Sequence, residues 1–299
     1  MASISGVSTS IPVCRGIERR LFSRDILHPR RTPITVMFAL LLLASQVFAV
    51  TDRVITPASA PTYTAAGIVN SADGHASELA PNTIASLYGA NLAYTTRAIS
   101  GTDVQGGILP TVLPGTGVRI LVSGIPAVIY YVSPGLINFL VPSILLPGPV
   151  DIQVAIDGLA GPDIQVQLNA AAPALFQLDI QDVVATRVDG SVVNADAPAQ
   201  PGDWVILYAT GLGQTSPPLA YQELATAPAS LKQMSSFNVM LDGVAVDRSL
   251  IYYAGVSPGF AGLYQVNLKL PDTTGPNPEI RISLNQAISP AGLHLAVQP

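Results

Sequence analysis

The chain has little cysteine and little charge. Its 299 residues include one cysteine, Cys14, and charged residues make up 11% of the sequence. A single cysteine excludes a disulfide-stabilised scaffold, and it also excludes zinc sites built from cysteine clusters. A hydrophobic core must therefore hold the fold together. With 49% hydrophobic residues, the chain has enough apolar material to form one.

Residues 1–49 have the pattern of a secretion signal with a long basic leader. Arginines precede an apolar run at residues 34–44, and Ser-Gln-Val-Phe-Ala follows at residues 45–49, where small residues suit a signal peptidase. We predict cleavage after Ala49, which also removes Cys14, and we expect residues 50–61 to be a linker. The alternative is a retained anchor, although the run is shorter than the roughly 20 apolar residues of a spanning helix.

The charge of the exported part excludes one class of partner. Residues 1–49 hold six of the 14 basic and two of the 19 acidic side chains, which leaves 8 basic and 17 acidic ones, a net charge of −9. Such a surface repels phosphate backbones, so we predict no nucleic-acid partner. The scarcity of charge also suggests that a partner, or the other part of the chain, covers some apolar surface.

The rest of the chain contains one series of segments twice. The matching pairs are residues 87–92 and 207–212, 118–125 and 237–244, 130–135 and 252–259, and 137–142 and 266–271. Their offsets are 120, 119, 122 and 129 residues. A repeat of this length is too long for a solenoid unit and has the size of one small domain. We therefore predict two copies of one fold, at residues 62–178 and 179–299.

Each copy has the pattern of an antiparallel β-sandwich. Residues 150–156 alternate strictly between apolar and polar, and a tight-turn pair, Asp157-Gly158, follows them. Residues 118–132 are typical of a hairpin. We expect about seven short strands in each half, separated by turns, which favours an all-β fold. Because almost no free linker separates the halves, we expect a head-to-tail arrangement with restricted motion.

Both halves resemble known extracellular modules. Residues 81–92 resemble the opening of the immunoglobulin-like, plexin and transcription-factor (IPT/TIG) domain. The second half is similar to the uncharacterised Solibacter-type C-terminal domain of secreted bacterial proteins, through Tyr-Ala-Thr-Gly-Leu-Gly at 208–213 and Pro-Gly-Phe-Ala-Gly-Leu-Tyr-Gln-Val-Asn at 258–267. The resemblance covers nearly all of residues 62–299. It implies two tandem Ig-like antiparallel β-sandwiches and export, and it implies no activity.

The shared residues have predicted structural roles. We expect Gly89, Gly211 and Gly213 to turn the chain with positive φ as it leaves a core strand. Asn138 and Asn267 lie in apolar strands, and we expect their amides to bond loop backbone groups. Tyrosine pairs at 130–131 and 252–253 place one ring on each face of a strand. The residues given structural roles are Gly89, Asn91, Tyr131, Ser133, Pro134, Gly135, Asn138, Gly211, Gly213, Tyr253, Ser257, Pro258, Gly259 and Asn267.

One segment matches the nucleophile motif of the α/β-hydrolases. Residues 255–259 read Gly-Val-Ser-Pro-Gly, and Asp272 and His294 follow in the expected order. The motif needs a backbone N–H after the serine as an oxyanion donor, and Pro258 has none. The segment also leads into a predicted strand, whereas the motif leads into a helix. We predict that the chain is not an enzyme, and a serine hydrolase using Ser257 remains a remote alternative.

The sequence offers no clear metal or cofactor site. After signal cleavage only His75 and His294 remain, one in each half, and no metal-binding histidine motif is present. Calcium bound by loop carboxylates is the alternative, and its candidate ligands are Asp179, Asp182, Asp196 and Asp203. Their spacing is irregular, so turn and cap roles are favoured. We predict no metal and no cofactor.

These observations favour a secreted, non-enzymatic tandem that acts in extracellular binding, adhesion or envelope structure. The partner is expected to be an extracellular protein or polysaccharide. The alternative is an accessory polysaccharide-binding module, which needs exposed coplanar aromatic rings. The candidates for such rings are Tyr94, Tyr221 and Tyr264, because Trp204, the sole tryptophan, is predicted to lie in a core strand.

Overall fold

The computed structural model describes residues 59–74 and 79–299, all within a single compact unit of the chain. The predicted signal segment, most of the predicted linker and His75 lie outside these residues. Within them, no helix has the length and apolar character to cross a membrane. The regular structure of the described residues consists of strands, joined by turns and loops, together with three short 3₁₀ helices at Gly101–Asp103, Met234–Ser236 and Arg248–Leu250.

The strands fall into two successive groups. The first group is β1 (Thr62–Asn70), β2 (Ile84–Ala90), β3 (Arg97–Ala98), β4 (Val118–Val122), β5 (Ile125–Pro126), β6 (Val128–Ser133), β7 (Leu136–Leu140), β8 (Gly148–Ile156), β9 (Leu159–Ala160) and β10 (Ile164–Leu168). The second group is β11 (Ala174–Leu175), β12 (Ala185–Thr186), β13 (Val192–Val193), β14 (Trp204–Thr210), β15 (Thr215–Ser216), β16 (Ala229–Leu231), β17 (Phe237–Leu241), β18 (Val244–Ala245), β19 (Ile251–Val256), β20 (Tyr264–Lys269), β21 (Ile280–Leu284) and β22 (Ala287–Ile288).

The first group forms two antiparallel sheets with the strand order of an immunoglobulin domain. One sheet runs β1-β2-β7-β6-β3, and the other runs β10-β8-β4-β5. Strands β1, β2, β7 and β6 take the places of strands A, B, E and D, and β10, β8 and β4 take those of G, F and C. The expected alternation holds in β4, where Val118, Ile120 and Val122 are fully buried.

The second group repeats this order. Strands β12, β14, β20 and β19 are consecutive neighbours in one sheet, and β18-β17-β21-β22 form the other. Each repeated sequence segment falls on an equivalent strand: β2 and β14, β4 and β17, β6 and β19, β7 and β20. Even the irregularities match, because the register shifts once between Ile129 and Tyr131 and once between Ile251 and Tyr253. The fold is therefore all-β, with two tandem Ig-like antiparallel sandwiches.

The sheets divide the chain slightly ahead of the predicted boundary between residues 178 and 179. Strand β11 pairs with β14, so Ala174 and Leu175 belong to the sheet of the second half. Leu175 is also part of the second core, together with Val205 and Leu207. The boundary itself stays a prediction; the structure places residues 169–173 between β10 and β11.

Candidate functional site

The two halves meet where β2 begins and β7 ends in the first sandwich. There the backbone N–H of Ile84 donates to the hydroxyl of Thr210, at the end of β14, across 2.9 Å. The same hydroxyl donates to the carbonyl oxygen of Gly262 across 2.8 Å. Thr210 is fully buried, so its hydroxyl satisfies one group from each half. We call this contact region the junction.

Tyr264 adds a second bridge to the junction. Its hydroxyl accepts a hydrogen bond from Asn82 Nδ2 across 2.7 Å and donates to the carbonyl oxygen of Gly213. The ring is fully buried, and burial raises the pKa of the Tyr264 phenol well above its usual range. The prediction of Tyr264 as an exposed sugar-binding ring is therefore wrong.

Two further tyrosines connect the halves through backbone carbonyls. Tyr130 donates to the carbonyl oxygen of Ala261 across 2.8 Å, and Tyr221 donates to that of Pro126 across 2.6 Å. The Tyr221 oxygen also accepts from the N–H of Val128. Burial raises the pKa of Tyr221 to about 12. Since its hydroxyl is already engaged in the junction, Tyr221 is a poor candidate for a sugar contact.

An inserted loop builds much of the junction. The turn between β19 and β20 has seven residues, whereas its equivalent between β6 and β7 has two, so it is five residues longer. The longer loop carries Ala261 and Gly262. Gly262 has a φ of 70°, and a Cβ there would overlap the side chain of Leu140. Only glycine allows the two halves to approach so closely.

The predicted glycine roles are correct in two cases and wrong in one. Gly211 and Gly213 have φ values of 76° and 74°, and a Cβ on Gly211 would overlap the carbonyl oxygen of Ala172. Gly89 does not have a positive φ. It lies within β2, where a Cβ would overlap the carbonyl oxygen of Thr62, and the left-handed residue of that turn is Asn91, with a φ of 57°.

The two strand asparagines bond side chains within their sheets. Asn138 Oδ1 accepts from Ser86 Oγ across 2.9 Å, and Asn267 Oδ1 accepts from Gln265 Nε2 across 3.2 Å. The sequence had predicted loop backbone groups as partners. That prediction is wrong for these oxygens because both residues lie in strand interiors, opposite Ser86 and Ile206 in the register, where polar side chains are nearer than loops.

The tyrosine pairs differ between the halves. Tyr253 is 6% exposed, and its hydroxyl donates to the carbonyl oxygen of Val256 across 2.7 Å. Burial raises the pKa of Tyr253 to about 12. Tyr131, its equivalent, is half-buried.

The Ser-Pro-Gly segments close the two equivalent turns. In the first half, Ser133 Oγ accepts from the N–H of Leu136 across 3.1 Å. The carbonyl oxygen of Gly135 accepts from the N–H of Gly89 in β2, and that of Pro134 accepts from the N–H of Leu92. In the second half, Gly259 has a φ of 84° and follows Pro258 into the inserted loop. These contacts are those of hairpin turns.

The structure does not assemble a serine-hydrolase triad. Ser257 Oγ donates to Gln265 Oε1 across 3.0 Å, and His294 Nδ1 contacts the carbonyl oxygen of Asn277 across 3.0 Å. The serine proton therefore points to an amide instead of an imidazole. The loop after Ser257 enters strand β20 and not a helix, as the sequence indicated.

Three of the candidate calcium ligands, Asp179, Asp196 and Asp203, lie in or beside turns, and Asp182 forms an isolated β-bridge with His294. Asp179 Oδ1 accepts from the N–H groups of Gln181 and Asp182, each across 2.8 Å, and Asp203 Oδ2 accepts from the N–H of Gln200 across 2.9 Å. Asp196 lies exposed in another turn. In residues 59–74 and 79–299, no three histidine, cysteine or acidic side chains are grouped as a metal site would require.

An exposed aromatic pair lies at the start of β14. Val205 and Leu207 point into the core, so Trp204 and Tyr208 point to the outer face of the sheet. The rings of Trp204 and Tyr252 pack edge to face, with centroids 4.2 Å apart and planes at 67°. Tyr252 is 49% exposed and Trp204 is half-buried. Trp204 thus lies in a core strand, as predicted, but its own side chain is on the outer face of that strand and is partly exposed.

Comparisons with known proteins give no family. No family model matches the chain, and no curated protein matches it. Among solved structures, the surface glycan-binding protein PbSGBP-B from Prevotella bryantii is 13% identical, with 80% of this chain and 42% of that one covered and a TM-score of 0.25. SGBP-B of Bacteroides ovatus, in complex with a mixed-linkage heptasaccharide, is 12% identical, with 74% and 43% covered and a TM-score of 0.29.

The tandem Ig repeats of Dlar are 13% identical, with 74% of this chain and 91% of that one covered and a TM-score of 0.20. The chain spans less than half the length of either glycan-binding protein. Overlaps this loose carry no argument about ligand or activity. The strand order of the two sandwiches is what identifies the chain as a tandem of Ig-like domains.

Proposed function

We propose that the chain is a secreted, non-enzymatic recognition protein that acts in extracellular binding, adhesion or envelope structure. The junction is the observation that carries the proposal. Thr210, Tyr264 and Tyr130 each bond a group of the other half; the bond of Thr210 is buried, and the other two are partly buried. Two sandwiches fixed in this way present their loops and sheet faces at a constant spacing, which suits binding to an extended or repetitive surface.

Export is the second part of the proposal. The basic leader and apolar run in residues 1–49 support it. Mass spectrometry of the exported protein should give a chain that begins at Val50. A mature mass that still includes residues 1–49 would indicate the retained anchor instead.

Binding of the full-length chain to surfaces tests the recognition role. The chain should be incubated with intact bacterial cells, envelope fractions and a panel of insoluble polysaccharides, with calcium and with a chelator. We expect saturable retention on one class of surface, unchanged by chelation. Absence of retention on every surface would contradict recognition, and loss on chelation would contradict the prediction of no metal.

The alternative, an accessory polysaccharide-binding module, is favoured by one observation. Tyr252 is 49% exposed beside Trp204, and aromatic side chains supply contact area at low entropic cost. The two ring planes meet at 67°, so the pair is an edge-to-face contact and not the coplanar platform expected from the sequence. Retention on polysaccharides that survives removal of all protein from the surface would separate this function from protein adhesion.

A further inference from the structure

The end of the first sandwich that contacts the second half in the junction has an equivalent end in the second sandwich. In the first, Ile84 pairs with Leu140 across β2 and β7, and Tyr130 is the extra residue at the register shift of β6. In the second, Trp204 pairs with Lys269 across β14 and β20, and Tyr252 is the extra residue of β19. We call the first set the closed pole and the second set the open pole.

The closed pole is apolar and covered. Ile84 is 2% exposed and Leu140 is 1% exposed. Gly262 of the second half lies against both side chains, since a Cβ on it would be 3.1 Å from Ile84 Cγ1 and would overlap Leu140. Tyr130 is held by its bond to Ala261. In this chain, the pole that is covered by the other Ig-like domain therefore consists of two buried aliphatic side chains and a tyrosine whose hydroxyl is hydrogen-bonded.

The open pole has a different composition. Trp204, Tyr252 and Lys269 replace the residues of the closed pole, position by position. Tyr252 is 49% exposed, while Trp204 and Lys269 are partly exposed. The surface combines two aromatic rings with one ammonium group, where the closed pole has two aliphatic side chains and a tyrosine.

This composition disfavours another module as the occupant. Docking of an apolar loop, as in the junction, would bury the ammonium of Lys269 without a partner. A second copy of the chain also fits poorly through its first half. There Ala90 and Asn91 stand where the junction uses Thr210 and Gly211, and the turn after β6 lacks the five additional residues.

We propose that the open pole binds a neutral polysaccharide, with one pyranose ring against the Trp204–Tyr252 pair and its hydroxyls bonding Lys269. A pyranose has an apolar face of C–H groups and a rim of hydroxyls, so it matches aromatic rings beside a solvated donor. The net charge of −9 on residues 50–299 disfavours an anionic polymer. This inference rests on the proposed role in extracellular binding and adds its ligand class and site.

The sole tryptophan gives a direct readout. Trp204 emission should be recorded while the full-length chain is titrated with cello-, xylo-, manno- and laminari-oligosaccharides, soluble xyloglucan and mixed-linkage glucan. We expect a saturable change with at least one of them. Tyr252→Ala should weaken binding about tenfold or more, as for loss of one aromatic anchor, and Lys269→Ala should weaken it several-fold.

Tyr88→Ala is the matched control. Tyr88 is 38% exposed, on the first sandwich, and its removal should leave affinity unchanged. Thermal melts establish that each variant is folded. Unchanged emission with every glycan, or equal affinities of the Tyr252 and Tyr88 variants, would overturn the inference.

The experiments distinguish failure of this inference from failure of the proposed function. Retention on cells or polysaccharides that the Tyr252 and Lys269 variants keep would overturn the open pole as the site and leave extracellular binding in place. No retention on any surface would overturn both.

Discussion

The two sandwiches have the same strand order, yet their equivalent poles have different surroundings. In the first, Ile84 and Leu140 are buried under the inserted loop of the second half. In the second, Trp204 and Lys269 occupy the same places and are partly exposed. The difference indicates that the repeated residues specify the fold, whereas the residues that changed between copies specify what each pole contacts. The following predictions test that comparison, from the largest expected effect to the smallest.

Breaking the junction should have the largest effect. Gly211→Ala places a Cβ on the carbonyl oxygen of Ala172 and keeps a positive φ, so we expect a loss of about 4 kcal/mol or more in the free energy of unfolding. Gly213→Ala is the control, because its φ is similar and the nearest atom would be 3.7 Å away. It should cost about 1–2 kcal/mol. Denaturant titration measures both, and equal losses would contradict a close approach at Gly211.

Removing one junction hydroxyl should have an intermediate effect. Tyr264→Phe leaves the amide of Asn82 and the carbonyl of Gly213 without this partner in a buried place. We expect a loss of about 1–3 kcal/mol, against less than about 0.5 kcal/mol for Tyr252→Phe on the exposed ring. Thermal or denaturant unfolding of the two variants decides this. A Tyr264→Phe variant as stable as the parent would show that the bridge contributes nothing.

Alkaline pH should destabilise the second sandwich through its buried phenol. The pKa of Tyr253 is raised from 10.0 to about 12 by burial, so the folded state keeps a proton that the unfolded state loses. The stability is complete below pH 10 and falls as pH rises from 10 towards 12, by about 1 kcal/mol at pH 11. Melting of the parent and of Tyr253→Phe at pH 8 and pH 11 measures this. Identical pH slopes in both would contradict it.

The smallest effect is expected at the hydrolase-like motif. Ser257→Ala loses one hydrogen bond to Gln265, worth about 1 kcal/mol. Hydrolysis of p-nitrophenyl acetate should be the same for the parent and the variant, with Ser133→Ala as the control from the equivalent turn. A loss of hydrolysis confined to Ser257→Ala would show that the serine is a nucleophile.

The fold was largely predictable because its signals are local and repeated. Segments such as residues 87–92 and 207–212 fall on equivalent strands, β2 and β14, and the tight-turn pairs mark the hairpins. The two-residue strands were not predictable. A pair such as Arg97–Ala98 is too short to show alternation, and only its pairing with β6 makes it a strand.

The exposed aromatic pair was missed because the sequence of β14 does not alternate between apolar and polar residues. Residues 204–208 read Trp-Val-Ile-Leu-Tyr, and five apolar residues in a row do not tell which face is buried. The repeat contained a usable signal, since the alignment of Leu87 with Leu207 makes Ile84 and Trp204 equivalent positions of the two copies. The junction bonds were not predictable, because the contact of Asn82 with Tyr264 joins residues 182 positions apart.

Calorimetric unfolding of the full-length chain tests most directly whether the two sandwiches form one body. With the junction as described, we predict a single transition whose calorimetric and van't Hoff enthalpies agree. Two separate transitions, or a calorimetric enthalpy well above the van't Hoff value, would show that each sandwich unfolds alone and would contradict a junction that fixes them together.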